Sequence, residues 1–150
     1  MNIIKSNYIN DEILNLLLQA NPDKEKVIDD FNNTENFLLK DDDKTKGIIL
    51  LDLISPKEIE ILNFSINSNY QNQGLGKYFL NQIFIILKNN NYKKVTLGTG
   101  NSSIGQLAFY QKLGFRIHDI RKNHFINNYA EPIFENDIQC MDLIILEKFL

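Results

Sequence analysis

Gln71-Asn72-Gln73-Gly74-Leu75-Gly76 follows a hydrophobic run, Ile59 to Ile66, and opens an amphipathic one, Leu75 to about Leu87. The order is strand, glycine-spaced turn, helix. A turn of this kind leaves the first backbone N–H groups of the helix without intrahelical partners. The helix dipole adds partial positive charge at the same place, which suits a phosphate or pyrophosphate. Gly74 and Gly76 carry no Cβ, so the chain can take unusual dihedrals and a ligand can come close to the backbone. A nucleotide-hydrolase loop fits poorly, because Gly76-Lys77 is followed by Tyr78 and not by the Ser or Thr that would hold magnesium.

Working outward, Met1 to Ser6 reads as a strand and Asp11 to Ala20 as a helix with an apolar stripe that Asn10 can cap. A shorter helix, Asp23 to Phe31, starts just after Pro22. Asn36 to Lys40 is a strand, and the polar Asp41 to Gly47 forms a hairpin turn into the strand Gly47 to Ile54. Pro56 marks the next turn. Beyond the central helix, Lys93 to Leu97 is a short strand, with Gly98-Thr99-Gly100 placed to bend the backbone after it. Gln106 to Leu113 is a helix that Gly114 ends in a left-handed cap, and Phe115 to Arg121 and Asp142 to Phe149 are strands. Asn123 to Gln139 is polar and aromatic, too long for a tight hairpin. Strands at both ends and a strand–turn–helix–strand unit between them give α/β character with a mixed sheet.

The composition narrows the function. The 150 residues favour one domain, 1–150, and 43% apolar with 23% charged residues describes a water-soluble globule. A formal charge of −3 with scattered Lys and Arg excludes the basic stripe of a nucleic-acid binder. No apolar run is long enough to span a bilayer and the N-terminus has no secretory pattern. The single cysteine, Cys140, excludes an internal disulfide framework and fits a reducing cytosol. A cytoplasmic location is expected, with neither nucleic acid nor membrane as partner.

Two segments together resemble the GNAT superfamily of acetyl-CoA-dependent N-acetyltransferases. Tyr70 to Lys77, preceded by its hydrophobic strand, is similar to the family's pyrophosphate loop. Leu107-Ala108-Phe109-Tyr110-Gln111-Lys112-Leu113-Gly114-Phe115 is similar to the helix that carries the family's tyrosine and closes on Gly-Phe. Gly98 to Gln106 and Glu131 to Asn136 further resemble a subgroup of small bacterial members, the YvbK-like ones. The resemblance implies a mixed, mostly antiparallel central sheet of about six to seven strands flanked by about four helices. It also implies acetyl-CoA as acyl donor and direct transfer to a primary amine of a small molecule or peptide. A catalytically silent acyl-CoA-binding module is the alternative from another class.

The same resemblance assigns roles by position. Backbone groups of Phe64, Ser65 and Ile66 would bind pantetheine and polarise the thioester, and Gln71, Asn72, Gln73, Gly74, Leu75, Gly76 and Lys77 would hold the pyrophosphate. Tyr110 would protonate the departing thiolate. Many members carry an asparagine seven residues before that tyrosine; here Ser103 stands there and Asn101 lies two residues further back, so both are candidate contacts to the cofactor arm. Glu60 occupies the strand position where several relatives keep a general base, and a surface charge at the strand edge is the competing role. His118 and His124 suit proton transfer by intrinsic pKa but are more simply ordinary strand and loop residues. No His, Cys, Asp or Glu cluster has metal-ligand spacing, so no metal is expected. In the 123–139 segment Phe125, Tyr129 and Phe134 can wall an acceptor pocket while Glu131 and Glu135 attract a cation; a flap or dimer contact is the other reading. The apolar strand Asp142 to Phe149 can serve as an edge in a homodimer or lie within the monomer.

Overall fold

The computed structural model describes all residues, Met1 to Leu150, and its backbone forms two compact units, Met1–Lys93 with Leu150 and Lys94–Phe149. In the first unit the order is β1 (Asn2–Lys5), α1 (Asp11–Ala20), α2 (Lys24–Asn33), β2 (Glu35–Asp41), β3 (Lys44–Ser55), β4 (Glu58–Ile66), a 3-10 turn at Ser68–Tyr70, and α3 (Leu75–Asn89). The four strands form an antiparallel meander, β1-β2-β3-β4. Asn10 caps α1 by accepting from the Ile13 N–H at 2.8 Å, and Asp23 caps α2 from Lys26 at 3.2 Å.

The two faces of this meander follow from strand alternation. Ile48 and Leu50 join Ile13, Leu16, Leu17, Val27, Phe31 and Leu38 in a buried cluster under α1 and α2. Phe64 projects the other way and meets Phe79 of α3, ring centroids 5.9 Å apart. Gly47 lies tight against this second face: a Cβ there would stand 2.8 Å from Ile66 Cδ1 and 3.2 Å from Phe79 Cδ2.

The second unit comprises β5 (Lys94–Gly100), α4 (Ile104–Lys112), β6 (Arg116–Arg121), the short α5 (His124–Asn128), β7 (Ile133–Glu135), β8 (Ile138–Cys140) and β9 (Leu143–Phe149). β9 pairs antiparallel with β5 on one side and β6 on the other, while β7 and β8 make a separate hairpin. Seven main-sheet strands and four long helices match the expected mixed, mostly antiparallel architecture. The terminal strand lies inside its sheet with partners on both sides, and β6 has every residue exposed.

One expectation changes. Gly98-Thr99-Gly100 does not bend the chain; β5 runs through it, paired with Leu143 to Ile145. The glycines serve close packing, since a Cβ on Gly98 would stand 3.0 Å from Leu143 Cδ1. The 123–139 segment holds α5 and most of the β7–β8 hairpin. Gly114 ends α4 as expected, at φ +96°.

Candidate active site

β4 and its exit form the donor side. Leu50 pairs with Asn63 and Leu51 with Ile61, so Leu62 is an extra residue and the strand bulges there. Asn63 and Ser65 face α1: the Asn63 amide donates to Leu17 O at 3.1 Å, and Ser65 Oγ accepts from Gln19 at 3.0 Å. Phe64 and Ile66 project to the α3 face. Glu60, half-buried, stands opposite Asp52 of β3 and just ahead of the bulge.

The chain leaves β4 by short bonds. The Asn67 N–H donates to Lys46 O at 2.7 Å, Tyr70 N–H to Asn67 O at 2.8 Å, and Asn69 N–H to Asn67 Oδ1 at 3.0 Å. Lys46 covers the Tyr70 ring, 4.6 Å from its centroid, and pairs with Asp41 at 3.0 Å, which lowers the Asp41 pKa. Gln71 turns its side chain back to donate to Ile66 O at 3.0 Å. Asn72 and Gly74 then take positive φ, +62° and +78°. Gly74 caps α3 with no side chain, and the first turn holds no acidic residue. The N–H groups of Leu75, Gly76 and Lys77 are therefore open to an anion. Nothing lies within 4 Å of where a Gly74 Cβ would stand, so the turn is open on that side. Gln73 and Lys77 are exposed around it.

In the second unit Tyr110 is 8% exposed on α4, its ring edge-on to Phe109 at 5.2 Å and Phe115 at 5.5 Å. Burial pushes the phenol pKa far above its ordinary value, so it keeps its proton through the physiological range. Asn101 is heavily engaged. Its Oδ1 accepts from the N–H groups of Met141 and Asp142 at 2.8 and 2.9 Å, and its Nδ2 donates to Gln139 O at 3.1 Å. Ser103, nearly buried, donates to Glu135 Oε1 at 3.1 Å. Between them Ser102 is fully buried with its Oγ unpartnered.

The 123–139 residues separate into two groups. Phe125 and Tyr129 stack at 5.7 Å and, with Glu131, Pro132, Gln139 and Cys140, line a cavity of about 100 Å³. Phe134 is 65% exposed outside that lining, and Glu135 is turned to Ser103. His118 lies 3.6 Å from Glu147 on the exposed β6, and His124 packs on Phe125. No group of three or more His, Cys, Asp or Glu side chains converges as for a metal, and no helix is long and apolar enough to cross a membrane. Gln19 escaped the sequence reading, and Glu135 was read only as an attraction for a cation, without its bond to Ser103. Gln19 sits in no motif, and only the fold brings either residue to its partner.

An α/β chain with an uncapped glycine turn after its bulged strand, and a proton-holding buried tyrosine, has the parts of an acyl-CoA-using transferase. Residues 9–115 match the Acetyltransferase (GNAT) family, and the chain belongs to it. It is 38% identical to the uncharacterized N-acetyltransferase YvbK of Bacillus subtilis over 91% of this chain and 88% of that protein. A GNAT family acetyltransferase from Elizabethkingia anophelis, solved with acetyl-CoA bound, is 42% identical with a TM-score of 0.91, covering 99% of this chain and 97% of the other. A Bacillus subtilis acetyltransferase in complex with CoA is 36% identical with a TM-score of 0.93 and the same coverage. The chain is thus a GNAT acetyltransferase that uses acetyl-CoA.

Proposed function

We propose that the chain moves the acetyl group of acetyl-CoA directly to a primary amine, with both substrates bound at once. The observation that carries the donor half is the uncapped N-terminus of α3 behind Gly74. There Gln71, Asn72, Gln73, Gly74, Leu75, Gly76 and Lys77 hold the pyrophosphate, chiefly through backbone N–H groups. Phe64, Ser65 and Ile66 hold pantetheine through the backbone, and their amides stabilise the oxyanion as it develops. The amine nitrogen attacks the thioester carbonyl carbon, the C–N bond forms and the C–S bond breaks. The amine proton passes to Glu60 through water, and Tyr110 gives its proton to the leaving thiolate. The products are the acetamide and CoA thiol, and the tyrosine recovers its proton from solvent. Asn101 and Ser103 act on the cofactor arm, Asn101 from a side chain that also fixes residues 139 to 142.

For the acceptor, the cavity behind Phe125 and Tyr129 supports a cationic amine. Residues 123 to 139 contain Glu131, Glu135 and Asp137 and no Lys or Arg. A stacked aromatic pair beside Glu131 offers both a π face and a carboxylate to an ammonium group.

The test is thiol release from acetyl-CoA against a panel of small amines and peptide N-termini, with both substrates varied. Direct transfer gives intersecting double-reciprocal lines and no acetyl-protein. Parallel lines, or an acetylated intermediate isolated without amine, would replace this scheme with a covalent one. Glu60→Gln should lower kcat and remove the acidic limb of its pH profile; an unchanged profile assigns the base elsewhere.

A further inference from the structure

Gln19 is an exposed residue one position before the end of α1, and helix formation does not call for glutamine there. Its carboxamide nevertheless makes three bonds, all at the exit of β4. Nε2 donates to Ser65 Oγ at 3.0 Å and to Ile66 O at 2.9 Å, while Oε1 accepts from the Ser68 N–H at 3.3 Å. Ile66 O receives a second bond from Gln71 Nε2 at 3.0 Å. A carbonyl oxygen has two lone pairs, so both are used. The peptide after Ile66 is thereby fixed from the helix side by Gln19 and from the turn side by Gln71. Further back, Asn63 ties the bulge to Leu17 of the same helix.

We propose that Gln19 is a positioning residue for the acyl donor. Through Ile66 and Ser68 it sets the direction in which β4 delivers the chain to the turn. That direction determines where the N–H groups of Leu75, Gly76 and Lys77 point relative to the backbone of Phe64 to Ile66. The inference rests on the donor reading above, in which a long ligand is held at two places by backbone groups. Two such grips act together only at the correct angle, and a small error in the angle loses one of them. Because Gln19 lies at the surface, its bonds contribute little to global stability. Its role is visible in ligand affinity rather than in melting.

The test compares wild type with Gln19→Met, close in length but with neither the amide donor nor its oxygen acceptor. CoA and its nucleotide half, 3′-phosphoadenosine 5′-diphosphate, are titrated calorimetrically, and acetyl-CoA turnover is measured with an accepted amine. The expected result is about tenfold weaker CoA binding and the same rise in the acetyl-CoA KM, with kcat within about twofold. The nucleotide half, which engages one grip, binds as to wild type, and the melting temperature stays within a few degrees. Unchanged CoA affinity overturns the proposal, as does an equal loss for the nucleotide half, which would make Gln19 a support of the turn alone. A wild-type chain that binds neither CoA nor its nucleotide half overturns the donor reading instead. Gln19→Glu keeps the acceptor for Ser68 but sets a carboxylate against Ile66 O, so it loses CoA affinity at least as strongly as Gln19→Met. Wild-type affinity in that variant would assign the effect to Ser68 and refute the part played by Ile66.

Discussion

Asn63 donates its side-chain N–H to Leu17 O at 3.1 Å, while the Oδ1 of the same amide is buried and meets no donor. Leu17 O also accepts from the Asn21 N–H at 3.2 Å, so it keeps a partner if Asn63 is replaced. Asn63→Leu removes one bond and one orphaned acceptor together, and should change stability by no more than about 1 kcal/mol. Asn63→Asp should cost about 3 kcal/mol at pH 7, because it buries a carboxylate facing the Leu17 carbonyl. Folding then favours the protonated acid, raising its folded pKa above the unfolded value of about 3.9. The penalty is absent below that value and grows as pH rises toward the folded pKa. Urea denaturation at pH 4 and pH 7 checks this; a penalty equal at both pH values would contradict it.

Tyr110 tests the acid role and its burial at once. Tyr110→Phe should lower kcat by about a hundredfold, within the usual range for a general acid, with little change in the acetyl-CoA KM. Burial raises the folded phenol pKa above the unfolded value of about 10. The stability linked to that proton is fully present below pH 10 and is lost as pH rises beyond it. Wild type should therefore lose melting temperature between pH 10 and 11 relative to Tyr110→Phe, with a constant difference from pH 7 to 9. A difference that stays flat to pH 11 would mean that the hydroxyl is not buried.

The sequence made some parts of this molecule legible and not others. Gln71 to Gly76 was readable because glycine spacing after a strand has local causes: positive φ at Gly74 and an uncapped helix start. Asn10 and Gly114 were readable for the same reason, as caps answering to their own helix ends. The bonds of Gln19 to Ser65 and Ile66 span 46 and 47 residues and belong to no periodic pattern. Glu135 reaches Ser103 across 32 residues and Asn101 reaches Met141 across 40. Gly98 and Gly100 look like a bend in sequence, because the neighbours that require glycine, Leu143 and Cys140, arrive only with the fold. β6 places its two apolar residues, Ile117 and Ile120, three apart across a register shift and leaves all six residues exposed, so its pattern carried no information about depth.

Gly74 separates backbone conformation from space. Its φ is +78° and a Cβ would meet nothing within 4 Å, so Gly74→Ala introduces strain without a clash. The expected cost is about 1 kcal/mol, and about 4 °C in melting temperature for a chain of this size. CoA affinity should fall as well, since a relaxed turn re-aims the amides at the start of α3. Gly74→Asn tolerates the left-handed region better and should recover most of both losses. If Asn and Ala behave alike, strain at φ +78° is not the cause.

Gly100 and Cys140 give the opposite case, in which space decides. A Cβ on Gly100 would stand 2.5 Å from Cys140 Sγ, with Phe125 Cε2 and Ser103 Oγ each at 3.6 Å. Cys140 is buried at 4% exposure and lines the cavity beside Phe125 and Tyr129. Gly100→Ala should therefore cost about 2 kcal/mol through overpacking at the end of β5. Cys140→Ala removes the sulfur that obstructs it, so the double variant should be more stable than the sum of the single losses, with a coupling above about 1 kcal/mol. Urea midpoints of the four proteins measure that coupling. The same four proteins test the acceptor reading. If the cavity holds the amine, Gly100→Ala raises the amine KM and Cys140→Ala restores it, while the acetyl-CoA KM stays level. Strictly additive stabilities would show that Sγ is not the obstruction, and an amine KM indifferent to all four would remove the cavity from the acceptor site.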